Sequence, residues 1–117
     1  MYAERPPPPP VFEATVTGET ITVVLRGEFD ITSEGFLSDC LERIRERSPR
    51  RLVFETAQVD FMDCAAARLI AGTIRWLPAG VKPVISCPPP IVRRVLQVSG
   101  IGALCELEPR EGGQPGR

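Results

Sequence analysis

The residues best placed for chemistry are Asp63 and Cys64, an aspartate and a thiol side by side where a helix is expected to begin. A helix N-terminus turns free N–H groups outward and favours negative charge, so side chains there are well placed to bind a partner or to be modified. The same position lowers a thiol pKa. Three roles are open for Cys64: a small, half-buried residue standing where a hydroxyl could stand, a redox-sensing thiolate, or a nucleophile. The last has no base to serve it, because the chain contains no histidine. Acid–base work by paired carboxylates would need acids on neighbouring strand ends, and Asp30 with Asp63 is the couple that fits; the alternative is that both are loop or capping residues.

Composition narrows the classes further. The chain has 117 residues, enough for one domain, and a formal net charge of −1, so no overall field recruits nucleic acid or an anionic membrane. Without histidine the commonest metal ligand is also missing, and no Gly-x-Gly-x-x-Gly or Walker-type loop follows a strand. No cofactor and no catalysis are expected. Cys40, Cys64, Cys87 and Cys105 lie too far apart in sequence for a zinc knuckle or a Cys-x-x-Cys pair. Reduced, mostly buried thiols in a cytoplasmic protein are the expectation. Nothing resembles a signal peptide, and no apolar run approaches the roughly 18 residues of a membrane span. Arg43, Arg45, Arg47, Arg50 and Arg51 cluster, but Glu42 and Glu46 dilute them, so nucleic-acid binding is not expected. Trp76, the only tryptophan, is expected to pack at a helix end.

The elements that must position these residues follow from periodicity. Phe12, Ala14 and Val16 alternate with polar residues, as do Ile21, Val23 and Leu25, and Gly18-Glu19 between them makes a β-hairpin ended by Gly27. Thr32 or Ser33 can cap a first helix whose stripe is Leu37, Cys40, Leu41 and Ile44, stopped by Pro49. Leu52-Val53-Phe54 reads as a short central strand, with a loop carrying Gln58 to Asp63. The second helix starts near Cys64, with Ala66, Leu69, Ile70, Thr73 and Leu77 at helical spacing, and ends at Pro78 to Gly80. Val84-Ile85-Ser86 is another central strand. Pro90 opens a third helix with Ile91, Val92, Val95 and Leu96 inward and Arg93 and Arg94 outward, and Gly100 lies just past its end. Leu104 to Leu107 suits a last edge strand. The order β-β-α-β-α-β-α-β is an α/β fold: a mixed, mostly parallel sheet with the helices on one face. The expected organisation is a Pro-rich flexible arm over 1–10, a domain over 11–108 and a flexible tail over 109–117. The five prolines Pro6 to Pro10 could dock to an aromatic groove, but a solvated arm is expected.

Three segments resemble the STAS domain of anti-sigma-factor antagonists. Leu25-Arg26-Gly27-Glu28-Phe29-Asp30 resembles the Leu-x-Gly-Glu-Leu-Asp that ends the family's second strand. Val53-Phe54-Glu55 through Val59-Asp60-Phe61-Met62-Asp63-Cys64-Ala65-Ala66 resembles its segment ending Phe-Ile-Asp-Ser-Ser-Gly. Pro90-Ile91-Val92-Arg93-Arg94-Val95-Leu96-Gln97-Val98-Ser99-Gly100-Ile101 resembles its final helix. The resemblance implies a bacterial partner-switching protein that binds an anti-sigma factor, commonly a GHKL-type serine kinase, and so frees a sigma factor. In the family the kinase phosphorylates the serine after the aspartate at the second helix start, and the added charge ends binding. That serine falls on Cys64, the next on Ala65, and the family's glycine on Ala66, so phosphorylation at Cys64 is not expected. Thr56, the nearest upstream hydroxyl, is a poor substitute. The resemblance makes Asp30, Asp63, Cys64, Ala65 and Arg68 the expected partner-binding residues of a monomer or weak dimer. The loss of the serine also suits an alternative, a STAS scaffold or adaptor subunit of a transport or signalling complex.

Overall fold

The computed structural model describes residues 8–108, and of Lys82 only the backbone. The expected tail and the first seven residues of the expected arm lie outside the described residues.

β1 (Val11–Thr17) and β2 (Thr20–Phe29) form the expected antiparallel hairpin, with Thr17 opposite Thr20. Gly18 sits at φ +61°, the first central position of a type II′ turn, which favours glycine. Asp30 then caps a single 3-10 turn, Ile31–Ser33, that leads into α1 (Glu34–Arg47). The remaining elements are β3 (Arg51–Met62), α2 (Cys64–Trp76), β4 (Lys82–Ser86), α3 (Pro90–Val98), a second 3-10 turn (Ile101–Ala103) and β5 (Glu106–Leu107). The sheet order is β1-β2-β3-β4-β5, with every pair after the hairpin parallel. Each crossover moves one strand further the same way, so right-handed connections carry all three helices onto one face.

That face holds the core. Ile21, Val23 and Leu25 of β2 stand beside Leu52 and Phe54 of β3 and Ile85 of β4. The helices cover them with Leu37, Leu41 and Ile44 of α1, Ala66, Ala67, Ile70, Ala71 and Ile74 of α2, and Val92 and Leu96 of α3.

Several local expectations need correction. β2 does not end at Gly27 but runs to Phe29, and β3 does not become a loop at Gln58 but runs to Met62. The pairing of the two strands shifts between Val24 and Arg26 and again between Gly27 and Glu28, each shift leaving one extra residue on β3. As a result β3 buries Thr56, Val59 and Met62, three residues apart, which hides the strand from any search for alternation. Gly27, at φ +92°, supplies the second irregularity with a conformation that L side chains rarely adopt. Ser33 gives α1 no side-chain cap. On α3, Ile91 is exposed rather than buried, because Val92 and Leu96 take the inward direction one residue round the helix. Arg93 is half-buried instead of pointing outward, and it donates to the carbonyls of Leu107 at 3.4 Å and Glu108 at 2.9 Å, tying α3 to β5. Trp76 is 61% exposed, with the Arg45 guanidinium 5.3 Å above its ring, so the helix end packs beneath an arginine and not into the core.

Candidate functional site

β2 and β3 end side by side, at Phe29 opposite Met62, and the two aspartates come directly after. The Asp63 amide donates to the Phe29 carbonyl at 3.1 Å, extending the ladder by one bond beyond the strands. Asp63 is extended (φ −94°, ψ 175°) and its Oδ1 accepts from the Ala66 amide at 2.9 Å, capping α2. Asp30 does the same for the first 3-10 turn. Its Oδ1 accepts from the Thr32 amide at 3.0 Å and from the Thr32 hydroxyl at 2.6 Å. The Ser33 hydroxyl meanwhile accepts from the Asp30 amide at 3.1 Å and donates to the Asp30 carbonyl at 2.9 Å. The Thr32 hydroxyl, then the Thr32 amide, hold the Asp30 carboxyl below its ordinary value of 3.8. Both aspartates are thus capping residues, the plainer of the two readings open from the sequence.

The caps fix the first residues of α2 at this sheet end. Cys64 is the first residue of α2 and is exposed, which disagrees with the first of the three roles left open for it, a half-buried residue; Ala65 is half-buried and Arg68, one turn on, is exposed. Asp30, Asp63, Cys64, Ala65 and Arg68 therefore belong to one end of the sheet and the first turns of α2. Alongside them the chain exposes Ile31 (70%) and Phe61 (43%), one after Asp30 and the other two before Asp63. Sequence reasoning passed over this apolar pair. Their signal was there, since a large apolar residue next to each cap has no place in the helix stripes.

α2 carries only two charges, Arg68 and Arg75, and no acid. Between α1 and α2 lies a shallow depression of about 180 Å³ lined by Ser38, Leu41, Arg45, Arg68, Leu69, Gly72 and Thr73. Among the described residues the ion pairs are Arg26–Glu13 and Arg50–Glu19, so neither Arg45 nor Arg68 is neutralised by an acid.

The other chemistry-bearing groups are dispersed. Thr56 is 1% exposed and its hydroxyl donates to the Ser86 carbonyl at 3.0 Å, which removes it from any modifying enzyme. The four cysteines are free thiols; none is fully buried, contrary to expectation, and three are intermediate while Cys64 is open to solvent. Burial pushes the Cys105 thiol up to about 11 and raises Cys40, where nearby Arg43 offsets part of the effect. Among the described residues no group of three or more Cys, Asp and Glu side chains could hold a metal ion, and no helix is long and apolar enough to cross a membrane.

Solved structures share this fold. An anti-sigma factor antagonist from Mycobacterium paratuberculosis superposes with a TM-score of 0.79 at 20% identity, over 86% of each chain. The anti-sigma factor antagonist SpoIIAA in its unphosphorylated form gives a TM-score of 0.69 at 27% identity, over 87% of this chain and 91% of that one. The phosphorylated form of SpoIIAA, a Bacillus cell fate determinant, gives 0.64 at 25% identity, over 87% and 95%. The STAS domain family matches residues 11–112, a stretch that takes in the whole sheet and all three helices. A match of that extent is a family relationship, and the chain belongs to the STAS domain family.

Proposed function

We propose that this chain is an anti-sigma-factor antagonist, a bacterial cytoplasmic binding module without catalysis, whose partner is an anti-sigma factor of the GHKL serine-kinase type. The docking surface is the sheet end and α2 start that carry Asp30, Asp63, Cys64, Ala65 and Arg68, with Ile31 and Phe61 adding apolar contact at its edge. The observation that carries this reading is Cys64 itself, an exposed first residue of α2 behind the Asp63 cap. The resemblance assigns that position to the phosphorylated serine, and the SpoIIAA chains similar to this one are known in phosphorylated and unphosphorylated forms. A thiol there cannot accept phosphate from a serine kinase, so docking is constitutive or controlled by abundance or by thiol state.

The test is affinity capture from the native host, with wild type compared to Asp63→Lys and Arg68→Glu. Asp63→Lys removes a cap as well as a charge, whereas Arg68→Glu leaves the cap intact. Recovery of a GHKL-type kinase or another anti-sigma factor that both variants lose supports the reading, and full affinity in both would sink the assigned surface. The substitution of the serine by Cys64 also favours a second reading, a STAS scaffold or adaptor in a transport or signalling complex. Capture of such subunits in place of a kinase would establish it.

A further inference from the structure

The two edges of the sheet are guarded unequally. β5 is two residues long, but β1 is a seven-residue edge strand that runs against β2 with no register shift from Val11 to Thr17. It contains no lysine, no proline and no bulge, the devices that ordinarily keep an edge from pairing. Among the described residues no strand covers its outer side.

The hairpin fixes which groups are free. A two-residue turn makes Thr17 and Thr20 a hydrogen-bonded pair, so Val11, Glu13, Thr15 and Thr17 bond to β2. Phe12, Ala14 and Val16 then direct their N–H and C=O groups away from the sheet. The same three residues share the helix-side face, where α1 stops short of them: Ala14 is exposed, Val16 is 48% exposed, and a groove of about 210 Å³ opens between Phe12, Ala14, Cys40, Arg43 and Ile44.

We propose that β1 pairs antiparallel with β1 of a second copy about a two-fold axis at Ala14, joining two five-stranded sheets into one. The sequence of β1 is self-complementary in this register. Phe12 falls opposite Val16 of the second copy and Ala14 opposite Ala14, so the outward N–H and C=O groups meet and the helix-side row is apolar throughout. On the other face Glu13 falls opposite Thr15, so its carboxylate, 3.2 Å from Arg26, meets no like charge. An isologous contact of this kind closes on itself and leaves the α2 start of both copies free.

Sedimentation of the full chain across a concentration series, with amide exchange measured at each end of the series, tests the pairing. The mass doubles with concentration. The amides of Phe12, Ala14 and Val16 gain about tenfold or more protection with it, while those of Glu13 and Thr15 are protected throughout. Ala14→Lys, at an exposed position on the axis, abolishes both changes and keeps the β1–β2 hairpin; Thr15→Lys, opposite Glu13, retains them. A chain that stays monomeric, or that doubles in mass with the three outward amides still exchanging freely, overturns the proposal. Protection of those amides at every concentration overturns it too, since another segment of the same chain would then occupy the edge.

Discussion

The Asp63 amide lies 3.1 Å from the Phe29 carbonyl, and this one bond carries the β2–β3 ladder past the strands to Asp63, beside the chain position where Asp30 follows Phe29. Asp30 and Asp63 are 33 residues apart in the chain, yet their backbones are locked to the same sheet end. Each side chain is committed to the turn it opens. The pair therefore acts as a frame: it sets where α2 begins, and so where Cys64 stands.

Asp63→Ala removes the acceptor for the Ala66 amide and is expected to destabilise the fold by about 1 kcal/mol. Asp63→Ser, which keeps an N-cap oxygen, restores most of that loss. Chemical denaturation of the three proteins checks it; equal stability of the alanine variant and wild type would mean that the Asp63 cap contributes nothing.

Asp30 titrates below the ordinary 3.8 because Thr32 hydrogen-bonds the charged form. Its contribution to stability is therefore complete above the ordinary carboxylate value and is lost as pH falls through the lower folded value. Carbon-detected NMR titration of the Asp30 carboxyl should give a midpoint under 3.8, and Thr32→Val should move that midpoint up.

The thiols should react in order of exposure. Alkylation at mildly alkaline pH modifies Cys64 first and Cys105 last, read by mass spectrometry of digested protein, because Cys64 is exposed while burial holds the Cys105 thiol protonated to about 11. The same shift destabilises the fold in base. The half-buried neutral thiol of Cys105 favours the folded state fully below 9.0, and that preference declines as pH rises from 9.0 towards about 11. Cys105→Ala flattens this alkaline decline.

Gly27 adopts φ +92° at the second register shift of β2 against β3. Gly27→Ala forces a side chain into that conformation and is expected to destabilise by more than about 1 kcal/mol. The contact to Pro10 is ordinary, with the added carbon 3.5 Å from the Pro10 Cα, so the loss comes from backbone strain and not from crowding. Thermal unfolding checks this, and a neutral result would mean that the shift tolerates another backbone geometry.

Phe54 is fully buried where β3 faces the helices. Phe54→Ala is expected to cost about 3–5 kcal/mol, from lost burial and the cavity left behind. Denaturant unfolding monitored by circular dichroism measures it, and a loss under about 1 kcal/mol would show that neighbouring side chains collapse into the space.

Local rules determined much of this protein from the sequence. Alternation of Ile21, Val23 and Leu25 and the stripe of Leu37, Leu41 and Ile44 sort apolar from polar side chains at the period of one element, and such patterns sufficed for the hairpin, the three helices and the order of elements along the chain. The α2 start was legible for the same reason, since Asp63 before Cys64 is a cap whose bond closes within three residues. What failed were features set by contacts distant in sequence. The outer half of β3 buries Thr56, Val59 and Met62 only because its pairing with β2 slips twice, and no window of β3 alone contains that information. Arg93 turns inward because the carbonyls of Leu107 and Glu108, at the far edge of the sheet, await a donor. Ile31 and Phe61 became neighbours of the site only when two strand ends met, and β1 became an unguarded edge only when the order of five strands was known. Periodicity reports which face of an element is apolar; tertiary structure alone decides what that face meets.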